Sequence, residues 1–166
     1  MKIFKSLAAV VTADILSLFI SFTLASSSSV IIRIISVVCS VGILICFLGS
    51  FSVKAAKEEV RLERVNDVRM KSCLPFAQGI MASMPALISW IALFISHKSG
   101  SFDFYRWHKL INSYFLQIYN FINSDAKTSA LTTGQIMLML VFVFVPMIGW
   151  TVPFMFAYYK EKKGRK

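Results

Sequence analysis

The sequence predicts an all-α integral membrane four-helix bundle with both termini in the cytoplasm and an amphipathic interfacial helix in its outer loop. Three observations carry this expectation. Hydrophobic residues make up 57% of the 166-residue chain and charged ones 16%, giving a mean hydropathy of +0.68, outside the range of ordinary soluble domains. Four apolar stretches, 6–25, 30–53, 74–96 and 134–159, each reach the roughly 20 residues that a helix needs to cross a hydrocarbon core about 30 Å thick. The basic residues also fall unevenly beside these stretches. Lys2 and Lys5 precede the first, Lys54, Lys57, Arg61, Arg64, Arg69 and Lys71 follow the second, and Lys160, Lys162, Lys163, Arg165 and Lys166 follow the fourth. The other side holds only Lys98, Arg106, Lys109 and Lys127, with Arg33 just inside a span, so the positive-inside rule sets both ends inward.

The first span carries Asp14 near its middle, with Ser17, Ser21 and Ala25 continuing the same face at spacings of three and four. A carboxylate at that depth costs about 2.5–3.5 kcal/mol on insertion scales, so this face should point into the bundle. Lys2, Lys5 and the Thr23-Leu24-Ala25 end also have the features of a cleavable signal. The near-full span length and the interrupting Asp14 argue for an uncleaved helix. Cleavage would instead leave three spans and an external amino terminus.

The second span offers Gly42, Cys46 and Gly49 as a smooth stripe for close helix approach. Cys39 and Cys46 share a face but stand about 10 Å apart along the axis, too far to bridge. The cytoplasmic loop 54–72 has neither Gly nor Pro and mixes basic with acidic residues, including Lys54 with Glu58 and Asp67 with Lys71 at helical pairing distance. Helix is expected there. A turn is expected at Asn66-Asp67, whose side chains compete for backbone hydrogen bonds, because a straight helix could not bring the chain back to the third span.

In the third span Gly79, Ala82, Ser83, Ala86 and Ser89 form a second small-residue stripe, with Gln78 beside it. Pro85 removes a ladder amide, as do Pro146 and Pro153 in the fourth span. Pro85, Pro146, Gly149 and Pro153 are therefore candidate helix hinges. Thr132 and Gln135 have the spacing of a capping box and mark the start of the fourth span, while Tyr158 and Tyr159 suit its interfacial end.

The outer loop contains a helix-period pattern over about 103–122, with Phe104, Trp107, Ile111, Tyr114, Ile118 and Phe121 on one face. Arg106, Lys109, Ser113, Gln117 and Asn120 fall opposite, and Leu116 is out of phase. This predicts a helix lying across the outer membrane surface, capping the bundle or docking a partner.

Few residues carry chemistry. The candidate intramembrane polar site is Asp14, Ser17, Ser21 and Gln78. Direct pairing of Asp14 with Arg33 is disfavoured by depth, about 18 Å against about 6 Å below the outer end. Asp14 is open to three readings: a hydrogen-bonded structural acid, a counter-charge for a partner subunit, or a proton-coupled substrate site. No HExxH, GxSxG or glycine-rich phosphate loop occurs, and no Cys/His set has metal-ligand spacing, so no catalytic residue, metal or cofactor is expected. His108 and Asp103 share the outer loop and are near enough in sequence to meet. Nucleic acid is not expected as a partner, since the net charge of +10 lies beside spans and is not interleaved with aromatic stacking residues. Four spans with an acid midway along the first are similar to the plan of small multidrug exporters, from which the long outer loop and two-proline fourth span depart.

The leading expectation is a non-enzymatic accessory, scaffold or interaction subunit of a membrane complex, held in the lipid bilayer and binding a membrane-protein partner or a second copy of itself. The alternative is a small oligomeric proton-coupled solute transporter using Asp14. Short loops and two cytoplasmic ends suit a bacterial plasma membrane.

Overall fold

A computed structural model of the chain describes residues 4–25, 29–67 and 70–164. Lys2, Arg69, Arg165 and Lys166, on which part of the topology reading rests, lie outside the described residues, as do Ser26 to Ser28. Among the described residues the chain is helical, with no strand. It comprises α1 (Phe4–Ala25), α2 (Val30–Asn66), α3 (Leu74–Ser99), α4 (Tyr105–Ile111), α5 (Leu116–Ile122), α6 (Thr133–Val143) and α7 (Val145–Lys163), with short 3-10 turns at Ser113–Phe115 and Thr128–Ala130.

Four helical segments are long and apolar enough to cross a membrane: Phe4–Leu24, Val30–Asn66, Leu74–Ser99 and Thr133–Lys163, the last uniting α6 and α7. At most 39% of any of their apolar windows is buried inside the protein. Phe19, Ile31, Ile88 and Phe156 instead face outward at 60–71% exposure. A surface of this kind needs apolar surroundings, because water would leave a contiguous hydrophobic patch unsatisfied on every side.

The ends of these helices follow from local chemistry. Thr132 and Gln135 form the expected capping box: the Gln135 amide donates to Thr132 Oγ1 (3.3 Å) and the Thr132 amide to Gln135 Oε1 (3.0 Å). Pro75 lies in the first turn of α3, where its missing N–H costs nothing, and Gly100 closes that helix at φ 63°, a left-handed conformation that glycine adopts freely. α2 ends where expected, after Asn66, with Asp67 left-handed at φ 50°.

The four long segments form a ring in the order α1, α2, α7, α3, each packing on its two neighbours. α1 and α2 pack on each other, Ala9, Val10, Ala13 and Ser17 being buried on the first and Ser40, Leu44 and Leu48 on the second, with Ser17 hydrogen-bonded to the Ser40 carbonyl across the contact. The small-residue stripe of α3 is buried as its spacing indicates, and Gly79 is where α7 comes closest. A Cβ at that position would collide with Thr151 Oγ1 and lie 3.1 Å from the Met147 carbonyl. The stripe of α2 is a correction. Cys46 is exposed and space is open beside Gly42 and Gly49, while the buried face of α2 runs through Ser36, Ser40, Leu44, Leu48, Ser52 and Ala55. Size alone does not select a helix face when a neighbouring face offers small serines for close approach together with leucines to interlock.

The prolines also separate. α3 continues through Pro85 and α7 through Pro153, but the fourth span is interrupted at Phe144, beside Pro146. There the Met147 amide donates to Ser83 Oγ (3.0 Å), so a serine of α3 satisfies a donor that the interruption leaves without its helical partner. Gly149 is a contact point, since a Cβ there would lie 3.2 Å from Leu48 Cδ1. Beyond the interruption α6 packs on α3, and the α4–α5 segment packs on α2 and sets Phe115 and Tyr119 against Phe142 at ring-centroid distances of 5.1 and 6.0 Å.

At the basic end, charged residues of 54–72 pair across helices. Lys5 pairs with Glu58 at 2.6 Å, Lys57 with Glu161 at 3.8 Å, and Lys162 with Glu63 at 3.6 Å. Glu63 is the hub, accepting from Tyr158 Oη (2.6 Å) and from the Met70 amide (2.5 Å), which folds the returning chain back along α2.

Candidate functional site

The segment joining α3 to α6 differs most from its sequence reading. It is not one helix with its polar face in water. It is a hairpin, α4 and α5 joined by the Ser113–Phe115 turn, and the break falls at Asn112 (φ −122°, ψ 50°). Leu116, the residue out of phase with the apolar pattern, begins α5. Much of the proposed wet face is buried: Lys109 at 6% exposure, Ser113 at 0% and Gln117 at 7%. Trp107 and Phe121 of the proposed buried face are more than half exposed. The physical reason is that the break re-phases the two halves, and the bundle interior offers polar partners that pure packing would not.

The tip of the hairpin reaches the middle of α1. The Ser113 amide donates to Asp14 Oδ1 (2.7 Å), and Ser113 Oγ lies 2.8 Å from Asp14 Oδ1 and 2.6 Å from the Asp14 carbonyl. The carboxylate that the sequence singles out is thus met by a backbone and side-chain pair from a residue 99 positions later. Asp14 is half-buried here and Arg33 is exposed on α2.

The other candidate polar residues divide. Ser17 donates to the Ser40 carbonyl (3.3 Å) across the α1–α2 contact. Ser21 is buried too, and its Oγ, with those of Ser36 and Ser40, has no hydrogen-bond partner among the described residues. Gln78 belongs elsewhere, accepting from Trp150 Nε1 (3.2 Å) at the α3–α7 contact. His108 and Asp103 do not meet. Asp103 Oδ1 accepts from the Thr128 amide and hydroxyl (both 2.8 Å), clasping the base of the hairpin. Burial works against the Asp103 carboxylate, but the Thr128 donors and nearby Arg106 hold it below its ordinary range.

Inside the hairpin a second cluster forms that the sequence did not announce. His108 Nδ1 lies 2.8 Å from Ser89 Oγ of α3, Asn112 Nδ2 donates to the same hydroxyl (3.3 Å), and Tyr114 Oη donates to Asn112 Oδ1 (3.2 Å). The opposite ring nitrogen, Nε2, is buried with no partner among the described residues. Lys109 Nζ closes the hairpin by donating to Asn120 Oδ1 and to the Asn123 and Asp125 carbonyls, each at 2.9 Å, with the Tyr105 ring 4.3 Å away. Burial draws this ammonium down to about 8, with Asp125 opposing. The one available signal was density: residues 105–123 hold most of the chain's tyrosines together with His108, Asn112, Asn120 and Asn123, more polar partners than a surface helix needs.

A serine at hydrogen-bond distance from a histidine has the contact of a nucleophile and its base, but Ser89 is 1% exposed and His108 0%, so the pair stands closed to any substrate in this conformation. Its effect is on stability. Burial pushes His108 down from 6.5 to about 4, the Ser89 contact opposing. Between these values the unfolded chain takes a proton that the folded one refuses, so the stabilisation is full above pH 6.5 and falls as pH drops. Thermal unfolding of the purified protein is expected to show about 2 kcal/mol lost by pH 5, and His108→Gln should flatten that fall. Parallel wild-type and variant curves would contradict it.

No family model, curated protein or solved structure matches the chain. Fold and site together define a class: an all-helical chain with four helices apolar enough to span a membrane, closed at the end away from its basic residues by a polar hairpin.

Proposed function

We propose that this is a multi-pass membrane protein with both ends in the cytoplasm, acting without enzymatic activity as an accessory or scaffold subunit of a membrane complex. The observation that carries this reading is the engagement of Asp14 by Ser113. A membrane carboxylate kept for solute or proton traffic needs an open approach, whereas this one accepts from a buried backbone amide and a serine hydroxyl that fix a re-entrant hairpin in place. The polar interior holds the fold, and the outward apolar faces and the basic end remain for partners. A bacterial plasma membrane suits the placement of the lysines.

A second reading has one observation in its favour. The buried hydroxyls of Ser21 on α1 and of Ser36 and Ser40 on α2 have no hydrogen-bond partner among the described residues, and such free polar groups would suit a proton-coupled transporter. Purification of a tagged copy in mild detergent, with native mass of what accompanies it, separates the two. A stoichiometric foreign subunit is expected. Self-assembly alone, together with proton-driven flux in vesicles that Asp14→Asn abolishes, would overturn the accessory reading in favour of transport.

A further inference from the structure

The geometry points to a binding site for one anionic phospholipid in the groove between α2 and α7 at the basic end. The groove holds about 260 Å³ and is lined by Val53 and Lys57 of α2 and by Phe156, Ala157, Lys160 and Glu161 of α7. Both helices run in the same direction here, and each repeats the same order. Val53 is followed four residues later by Lys57, and Phe156 four residues later by Lys160, so on both walls an apolar side chain stands one helical turn before an ammonium. That vertical order is the order of a lipid, with acyl chain first and phosphate next. Phe156 is 71% exposed, leaving its ring for a chain to lie along.

Charge selects the headgroup. Lys57 is held across the groove by Glu161 at 3.8 Å, the outer limit of an ion pair, and Lys160 Nζ has no partner among the described residues. Two ammonium groups against one carboxylate leave the mouth positive. A phosphate set between Lys57 and Lys160 receives donors from both walls, and a net-negative headgroup suits this balance better than a zwitterionic one. The inference rests on the membrane reading above.

The test uses the full chain, reconstituted into vesicles of mixed phosphatidylcholine and phosphatidylglycerol, re-extracted in detergent and examined for retained lipid by native mass spectrometry. Wild type is expected to retain phosphatidylglycerol in preference to phosphatidylcholine. Lys57→Ala with Lys160→Ala should weaken that retention by about fivefold per lysine, roughly twenty-five-fold for the pair. Lys57→Arg with Lys160→Arg should keep it and show that the alanine pair did not act by misfolding. Lys98→Ala with Lys127→Ala, at the far end, should leave it unchanged. Equal retention of the two lipids by wild type, an alanine pair indistinguishable from wild type, or a stoichiometric polypeptide in the lipid's place would overturn the proposal. Failure of the membrane reading is separately visible, because alkaline carbonate would then release the chain from membranes without detergent.

Discussion

Asp14→Ala is expected to detach the α4–α5 hairpin from the bundle at a cost of about 3 kcal/mol. The substitution leaves the buried Ser113 amide without its acceptor, worth about 1–3 kcal/mol, and removes a hydroxyl–carboxylate bond of similar size. Asp14→Asn keeps one oxygen where Oδ1 stands, so it should cost under about 1 kcal/mol. Ser113→Ala retains the amide bond and should fall between them. Hydrogen exchange over residues 105–122, followed with thermal unfolding, reads the effect directly. Fast exchange there, with α3 and α7 still protected, is the expected signature, and unchanged protection in Asp14→Ala would show that the contact does not hold the hairpin. Removing the acid also makes α1 easier to insert, by about 2.5–3.5 kcal/mol on insertion scales. Membrane abundance and tertiary stability should therefore move in opposite directions.

Gly79→Leu is expected to cost about 3 kcal/mol, the upper end of what overpacking usually does. A Cβ at 79 meets Thr151 Oγ1, an atom fixed one bond from its own Cβ, and lies 3.1 Å from the Met147 carbonyl and 3.2 Å from Met147 Cγ. None of these is the far end of a flexible chain, so α3 and α7 must separate. The Gln78–Trp150 and Ser83–Met147 hydrogen bonds flank this point and should weaken with it. Gly79→Ala should cost less, and adding Thr151→Ala should recover part of the loss. Gly42→Ala and Gly49→Ala make the contrast, since both positions face open space and alanine favours helix by about 1 kcal/mol. These two should be neutral or stabilising. Equal losses at positions 42 and 79, measured as shifts in thermal midpoint, would contradict the packing described for α2 and α3.

Much of the helical architecture was legible because it is set by one-dimensional properties. The number and extent of the apolar helices follow from run length, the start of α6 from Thr132 and Gln135, and the end of α2 from Asn66 and Asp67. The buried face of α3 was legible from the spacing of its small residues, because no competing face exists on that helix. α2 has two candidate faces, one of glycines and one of serines and leucines, and composition gives no rule for choosing between them.

The hairpin marks where sequence reasoning ended. Its helical period was visible and its interruption at Asn112 was not, so after the break Tyr114 and Ile118 pack inward as read, while Ser113 and Gln117 turn inward and Phe121 outward against the reading. Lys109 and Ser113 read as solvent-facing because a lysine and a serine opposite a row of aromatics ordinarily are. The sequence by itself determined an all-helical chain with four long apolar helices, a basic end and one costly acid in the first of them, because hydropathy, charge and capping act over a few neighbouring residues. Only the tertiary structure decided what satisfies that acid. The Ser113 amide and hydroxyl are ordinary groups until chain return sets them against Asp14, 99 residues away, and a hydrogen bond depends on that meeting, which local pattern does not encode.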